Sequence, residues 1–192
     1  MRKYKLLAII CLLTIWTTIT FTNNPANIVQ AQNQDPDFTE LSAIEKKLSP
    51  KSARQNMIPP IKKKKMAAWL KAGLYKEAFL GEPTIHGSTG PHGGNVRTFY
   101  NPILVENLRA GKKTWDVGAA MVKELYLSSS SQVSGYAVMI KVDEQSGSDG
   151  SGWIYFESFS GSADNAFYGK GVQLCANCHR GGVDFLLATF RP

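Results

Sequence analysis

Cysteine and histidine are scarce, with three of each among 192 residues. A structural zinc site built on Cys175 and Cys178 would need two further ligands, and only His86 and His92 remain to supply them. No internal repeat is visible, and 17 glycines and 9 prolines are ordinary for this length, which excludes collagen-like and low-complexity chains. A strongly basic fold is missing too. The net charge of +7 comes from residues 1–31, with three cations and no acid, and residues 32–65, with eight cations against four acids. Residues 66–192 carry eleven of each sign, so the folded part has no basic face and nucleic acid is not an expected partner. What is present is enough apolar material, 43%, for one domain with some appended chain.

Met1–Lys5 is basic and Leu6–Phe21 is apolar, a run of about 16 residues where a spanning helix needs ~20. Val29-Gln30-Ala31 then offers small residues ahead of the polar Gln32-Asn33-Gln34. This pattern reads as a secretory signal peptide, residues 1–31, cleaved near Ala31, and predicts an exported, periplasmic protein; an uncleaved anchor is the alternative. Cys11 lies inside the apolar run behind bulky Ile10 and does not read as a lipidation site. Cleavage leaves Cys175 and Cys178. Residues 32–65 read as a polar and basic flexible linker, with a short helix around Glu40–Leu48 and the solvated block Lys62–Lys65.

Residues 66–192 read as a single domain. Met66, Trp69, Leu70, Leu74 and Phe79 fall near helical spacing and predict one amphipathic helix. His86–Gly94 is a loop by composition, Asn95–Tyr100 a strand, and Ile103–Ala110 a short helix stopped at Gly111. Strands are predicted at Gly118–Leu127, Gly135–Val142 and Gly152–Phe159, joined by Gly- and Ser-rich turns. Sequential strands with short connections point to an α+β fold, mainly an antiparallel sheet with flanking helices. A short C-terminal helix carries the two cysteines, followed by the apolar tail Phe185–Phe190.

Cys175-Ala176-Asn177-Cys178-His179 is a C-x-x-C-H motif, the attachment signature of a c-type haem. Thiols three residues apart on one helical turn reach the two vinyl groups of one porphyrin, and the next histidine is the metal ligand. A dithiol redox motif shares the C-x-x-C spacing but expects a βαβ context rather than antiparallel strands. One covalent haem c per chain, on Cys175, Cys178 and His179, is the cofactor expected. In the strand around residue 123, Met121, Lys123, Leu125 and Leu127 share one face while Ala120, Val122, Glu124 and Tyr126 share the other. Lys123 therefore sits in an apolar stripe, either snorkelling to water or desolvated and nucleophilic. Arg97 either points into a pocket or pairs across strands with an acid such as Glu124.

The segments Val96-Arg97-Thr98-Phe99-Tyr100-Asn101, Val122-Lys123-Glu124-Leu125 and Trp153-Ile154-Tyr155-Phe156, followed by the late C-x-x-C-H, together resemble the cytochrome P-460 family, which is related to the beta-sheet cytochromes c-prime. The resemblance spans roughly residues 66–192. It implies a β-rich fold, commonly a homodimer, with His179 as axial ligand and an iron open on its distal side. It also implies that Lys123 matches a lysine cross-linked to the porphyrin in hydroxylamine-oxidising members, and that Arg97 matches an arginine near the distal pocket. Those members use a distal carboxylate as proton acceptor, and the stretch Phe167–Leu174 before the motif has none; Glu124 and Glu157 are the nearest candidates. His86 and His92 stand as distal ligand, proton relay or closers of a surface turn, with His92 nearer the Arg97 strand.

The expected function is an exported mono-haem cytochrome that binds or oxidises a small nitrogen compound, hydroxylamine or nitric oxide. Lys123, Arg97, Glu124 and His92 are the candidate catalytic residues, and an electron-transfer partner of unspecified identity is implied. Two alternatives stand beside this oxidoreductase. One is a nitric-oxide binder with an apolar pocket of Phe99, Phe156 and Leu125. The other is an electron carrier with Met121, Met139 or a histidine as sixth ligand.

Overall fold

Seven strands form one antiparallel sheet in a computed structural model that describes residues 57–127 and 130–188. They are β1 (Leu80–Gly81), β2 (His86–Gly87), β3 (Asn95–Tyr100), β4 (Ala120–Tyr126), β5 (Val133–Lys141), β6 (Trp153–Ser158) and β7 (Phe167–Lys170). The order is β1-β3-β4-β5-β6-β7, with β2 also paired to β3. Three helices flank the sheet: α1 (Lys63–Lys71), α2 (Pro102–Arg109) and α3 (Gln173–His179). The fold is α+β, as the run of sequential strands predicts, and among the described residues no helix is long and apolar enough to cross a membrane.

Period-two alternation divides the sheet into two unlike faces. Phe99, Ala120, Val122, Val138, Ile140, Ile154 and Phe156 face α1 and pack with Met66, Trp69, Leu70, Tyr75 and Phe79. Tyr100, Met121, Met139, Trp153 and Tyr155 face the other way, against Leu104 and Val105 of α2, Trp115, Ala176 of α3, Phe185 and Leu186. Fully burying each large apolar side chain contributes about 1.5–3 kcal/mol.

Asn101, fully buried, locks the β3–α2 junction. Its Oδ1 accepts the backbone N–H of Leu104 at 3.0 Å, capping α2, and that of Ala120 at 2.9 Å. Its Nδ2 donates to Gly118 O at 2.7 Å and Met57 O at 2.9 Å. Pro102 fills the first turn of α2, where its missing N–H costs no bond. Gly135 permits close strand approach: a Cβ there would lie 2.2 Å from the carbonyl oxygen of Ser158.

Several sequence expectations change. The single helix expected through Phe79 breaks at Gly73, whose φ of 70° ends α1 and restarts the chain as a 3-10 turn at Leu74–Glu77. His86–Gly87 within the expected loop pairs with β3, and β7 adds an edge strand that its brief pattern concealed. The packed body begins before residue 66: Ile61 is buried and its carbonyl accepts a hydrogen bond from the Tyr168 hydroxyl. The leader and the helix expected around Glu40–Leu48 lie outside the described residues.

Candidate functional site

A cavity of about 390 Å³ opens on the face away from α1. β3 contributes Val96, Thr98 and Tyr100, β4 Met121 and Lys123, β5 Met139, and β6 Tyr155 and Glu157. The loop from Ser88 to His92 and the α3 residues Leu174, Cys175, Cys178 and His179 close the remaining walls. The volume lies in the ordinary range for cofactor and ligand sites, and the lining is mostly apolar with a few convergent polar groups. Phe159, Leu174 and Leu187 line it while remaining about half exposed, giving it an apolar rim.

α3 displays the thiol pair one turn apart, both sulfurs free. Burial pushes the Cys175 thiol up to about 12, with repulsion from Glu157 adding to it. His179 is buried, and burial is the main cause that lowers its value to about 4, so its imidazole is neutral near pH 7. Its Nδ1 lies 3.0 Å from the carbonyl oxygen of Phe185. A carbonyl can only accept, so Nδ1 carries the proton and Nε2 keeps its lone pair. That is the state a metal-binding imidazole requires.

Polar groups stand beside His179. His92 Nδ1 is 2.6 Å from Glu157 Oε1, both side chains are largely buried, and the His92 ring centroid is 6.3 Å from that of His179. With Nδ1 donating to the carboxylate, the Nε2 of His92 is an acceptor. A second pair joins His86 Nε2 to Glu82 Oε2 at 3.0 Å. The carbonyl of Gly87 and then Glu82 raise the value of His86 above the usual histidine range. Glu82 is buried by the folded chain and also accepts the N–H of Thr98 at 2.7 Å and the Tyr100 hydroxyl at 3.2 Å. Lys123 stands in the wall between these pairs. Burial lowers its value and so favours a neutral amine, while attraction to Glu82 and Glu157 pulls the other way.

The structure therefore brings Lys123, His92, Glu157, Cys175, Cys178 and His179 together. Arg97 and Glu124 are turned to the α1 face by the strand alternation that places Lys123 in the cavity. Arg97 donates from Nε to the backbone oxygen of Glu82 at 2.8 Å and stacks on Phe99 with 5.0 Å from guanidinium carbon to ring centroid. Glu124 accepts from the Tyr75 and Tyr126 hydroxyls and pairs with Lys76 Nζ at 2.7 Å. Their predicted place in the pocket is corrected accordingly. Of the apolar set expected there, Phe156 borders the cavity although its strand parity packs it on the α1 side, whereas Phe99 and Leu125 do not; Met121 and Met139, the methionines considered as sixth ligand, line it. Glu82 escaped sequence reasoning because it follows β1 directly, a strand of two residues that shows no alternation.

A family model described as Cytochrome P460 matches residues 75–184, more than half of the chain. The chain belongs to the cytochrome P460 family. No curated protein and no solved structure matches it. Membership implies haem binding, and the cavity of this P460 protein fits that group. Two thiols on one turn, a neutral histidine with Nε2 unprotonated, and a largely apolar wall meet in one place. Among the described residues no three His, Cys, Asp or Glu side chains converge on a metal-ion site.

Proposed function

We propose that this P460 protein carries one covalent haem c, which Cys175 and Cys178 would hold through thioethers and His179 through its Nε2, and oxidises a small nitrogen compound of the hydroxylamine type. The observation that carries this reading is the His92–Glu157 pair in the cavity, with the His92 ring centroid 6.3 Å from that of His179. When bound, haem supplies a one-electron redox centre able to take a small ligand. Oxidation of hydroxylamine to nitroxyl breaks one N–H and the O–H bond and releases two protons and two electrons. The electrons require an external one-electron acceptor protein. Nε2 of His92 accepts a proton, and Glu157 holds that ring in orientation and stabilises the resulting imidazolium. Lys123, desolvated beside two carboxylates, would be the nucleophile for a link to the porphyrin, in which one amine N–H and one ring C–H give way to a C–N bond and an external oxidant takes up the two electrons. The leader, residues 1–31, is assigned to export to the periplasm, where c-type haem is attached.

The polar wall favours this reading over a nitric-oxide binder with a purely apolar pocket. The test is to mature the full chain in a host with haem-attachment machinery, then combine peptide mass spectrometry with hydroxylamine turnover against a one-electron acceptor. Haem joined to the Cys175–Cys178 peptide and steady turnover are expected. Colourless protein with free thiols removes the haem assignment. Nitric-oxide binding without hydroxylamine turnover turns the protein into the gas binder, and a resting low-spin six-coordinate spectrum turns it into the carrier.

A further inference from the structure

Behind the axial histidine lies a buried ion pair that the reaction just described does not use. Lys141, at the end of β5, has no solvent exposure, and its Nζ is 2.9 Å from Asp184 Oδ2. Asp184 also accepts the backbone N–H of Trp115 at 3.0 Å and the Ser146 hydroxyl. Asp184 and Phe185 are consecutive non-glycine residues in left-handed conformation, with φ of 46° and 66°. Such a turn persists only when its surroundings hold it. Here the holding is visible. The aspartate is anchored three ways, Trp115 Nε1 ties Val183 O at 2.9 Å, and Leu186 N closes onto Val183 O at 2.9 Å. The product of this turn is the direction of one carbonyl, that of Phe185, which receives Nδ1–H of His179.

Resting on the assignment of His179 as axial ligand, we propose that the Lys141–Asp184 pair positions that histidine by fixing the Phe185 carbonyl, and thereby sets the iron's reduction potential. A firm hydrogen bond at Nδ1 increases the basicity of Nε2, and a more basic axial ligand stabilises ferric over ferrous iron. Asp184 and Lys141 touch neither cavity nor reacting atoms, so both are positioning residues. The two charges compensate each other in a buried setting, where removal of one leaves the other unpaired. Ser146 offers a gentler perturbation, because its loss removes one anchor of Asp184 and an acceptor for Lys141 Nζ and Trp153 Nε1 while keeping both charges of the ion pair.

The test uses matured, full-length holoprotein of wild type, Asp184→Asn and Ser146→Ala. Two readouts are taken, the iron–histidine stretching band of the ferrous form by resonance Raman and the reduction potential by spectroelectrochemistry. Asp184→Asn is expected to lower the band frequency and favour the ferrous form about tenfold, which is about 59 mV for one electron. Ser146→Ala is expected to shift both in the same direction by less. If Asp184→Asn is not recovered folded, Ser146→Ala decides. Wild-type band and potential in every recovered variant, even with a lowered Tm, would overturn the proposal and leave the pair a structural brace. A wild-type protein with no iron–histidine band removes the axial assignment and the clamp together.

Discussion

The two faces of the sheet bury polar groups in opposite ways. On the α1 face, Glu124 is enclosed by Tyr75, Tyr126 and Lys76, inside a packed cluster where the Tyr75 and Phe99 rings meet edge-on at 5.0 Å. Those tyrosines are shifted upward by burial and by the neighbouring carboxylate, so their hydroxyls stay protonated and donate. On the cavity face, Lys123, Glu157 and His92 point at a space bounded by a thiol pair and a neutral histidine. Polar groups that satisfy one another serve stability, whereas polar groups that converge on a cavity serve chemistry. One strand, β4, supplies both kinds at adjacent positions, 123 and 124.

Substitutions on either side of that division should separate the two roles. The largest effect is expected from Cys175→Ala with Cys178→Ala, which removes covalent haem altogether, read as loss of the haem mass and of the pyridine haemochrome spectrum. Glu124→Ala strands two buried hydroxyls and is expected to lower stability by about 3 kcal/mol. Thermal unfolding should show this as a Tm drop of roughly 10 °C, with the haem spectrum unmoved. A shifted haem spectrum would break the division. Glu157→Gln reverses the pattern: turnover falls about a hundredfold with a flattened pH profile, while Tm changes little.

The smallest effect belongs to His86. Its folded-state value lies above the ordinary 6.5, so its pairing with Glu82 stabilises fully below that pH and is lost as pH rises through the folded-state value. The side chain is half exposed, which limits the gain to a few tenths of a kcal/mol. His86→Gln should erase this slope from the stability–pH curve and leave turnover within a factor of two.

Much of this was legible in residue order. Alternation across β4 placed Met121 and Lys123 together and Val122 and Glu124 opposite, and C-x-x-C-H identified one wall of the cavity. Spacing along one strand could not say which face would be hollow. The same parity that takes Lys123 into the cavity takes Arg97, on the neighbouring β3, to the α1 side. Glu82 and Asp184 were silent because each owes its place to contacts distant in sequence: Glu82 with Thr98 and Tyr100, Asp184 with Lys141 and Trp115. Turns of two residues carry no period for a pattern to reveal.

The margins of the sheet also limit how copies of this protein can meet. One border of β3 is occupied by two-residue strands flanking Pro83, and the far border is β7, four residues long with Gly169 in it. Such stubby borders make poor templates for ladder growth from molecule to molecule.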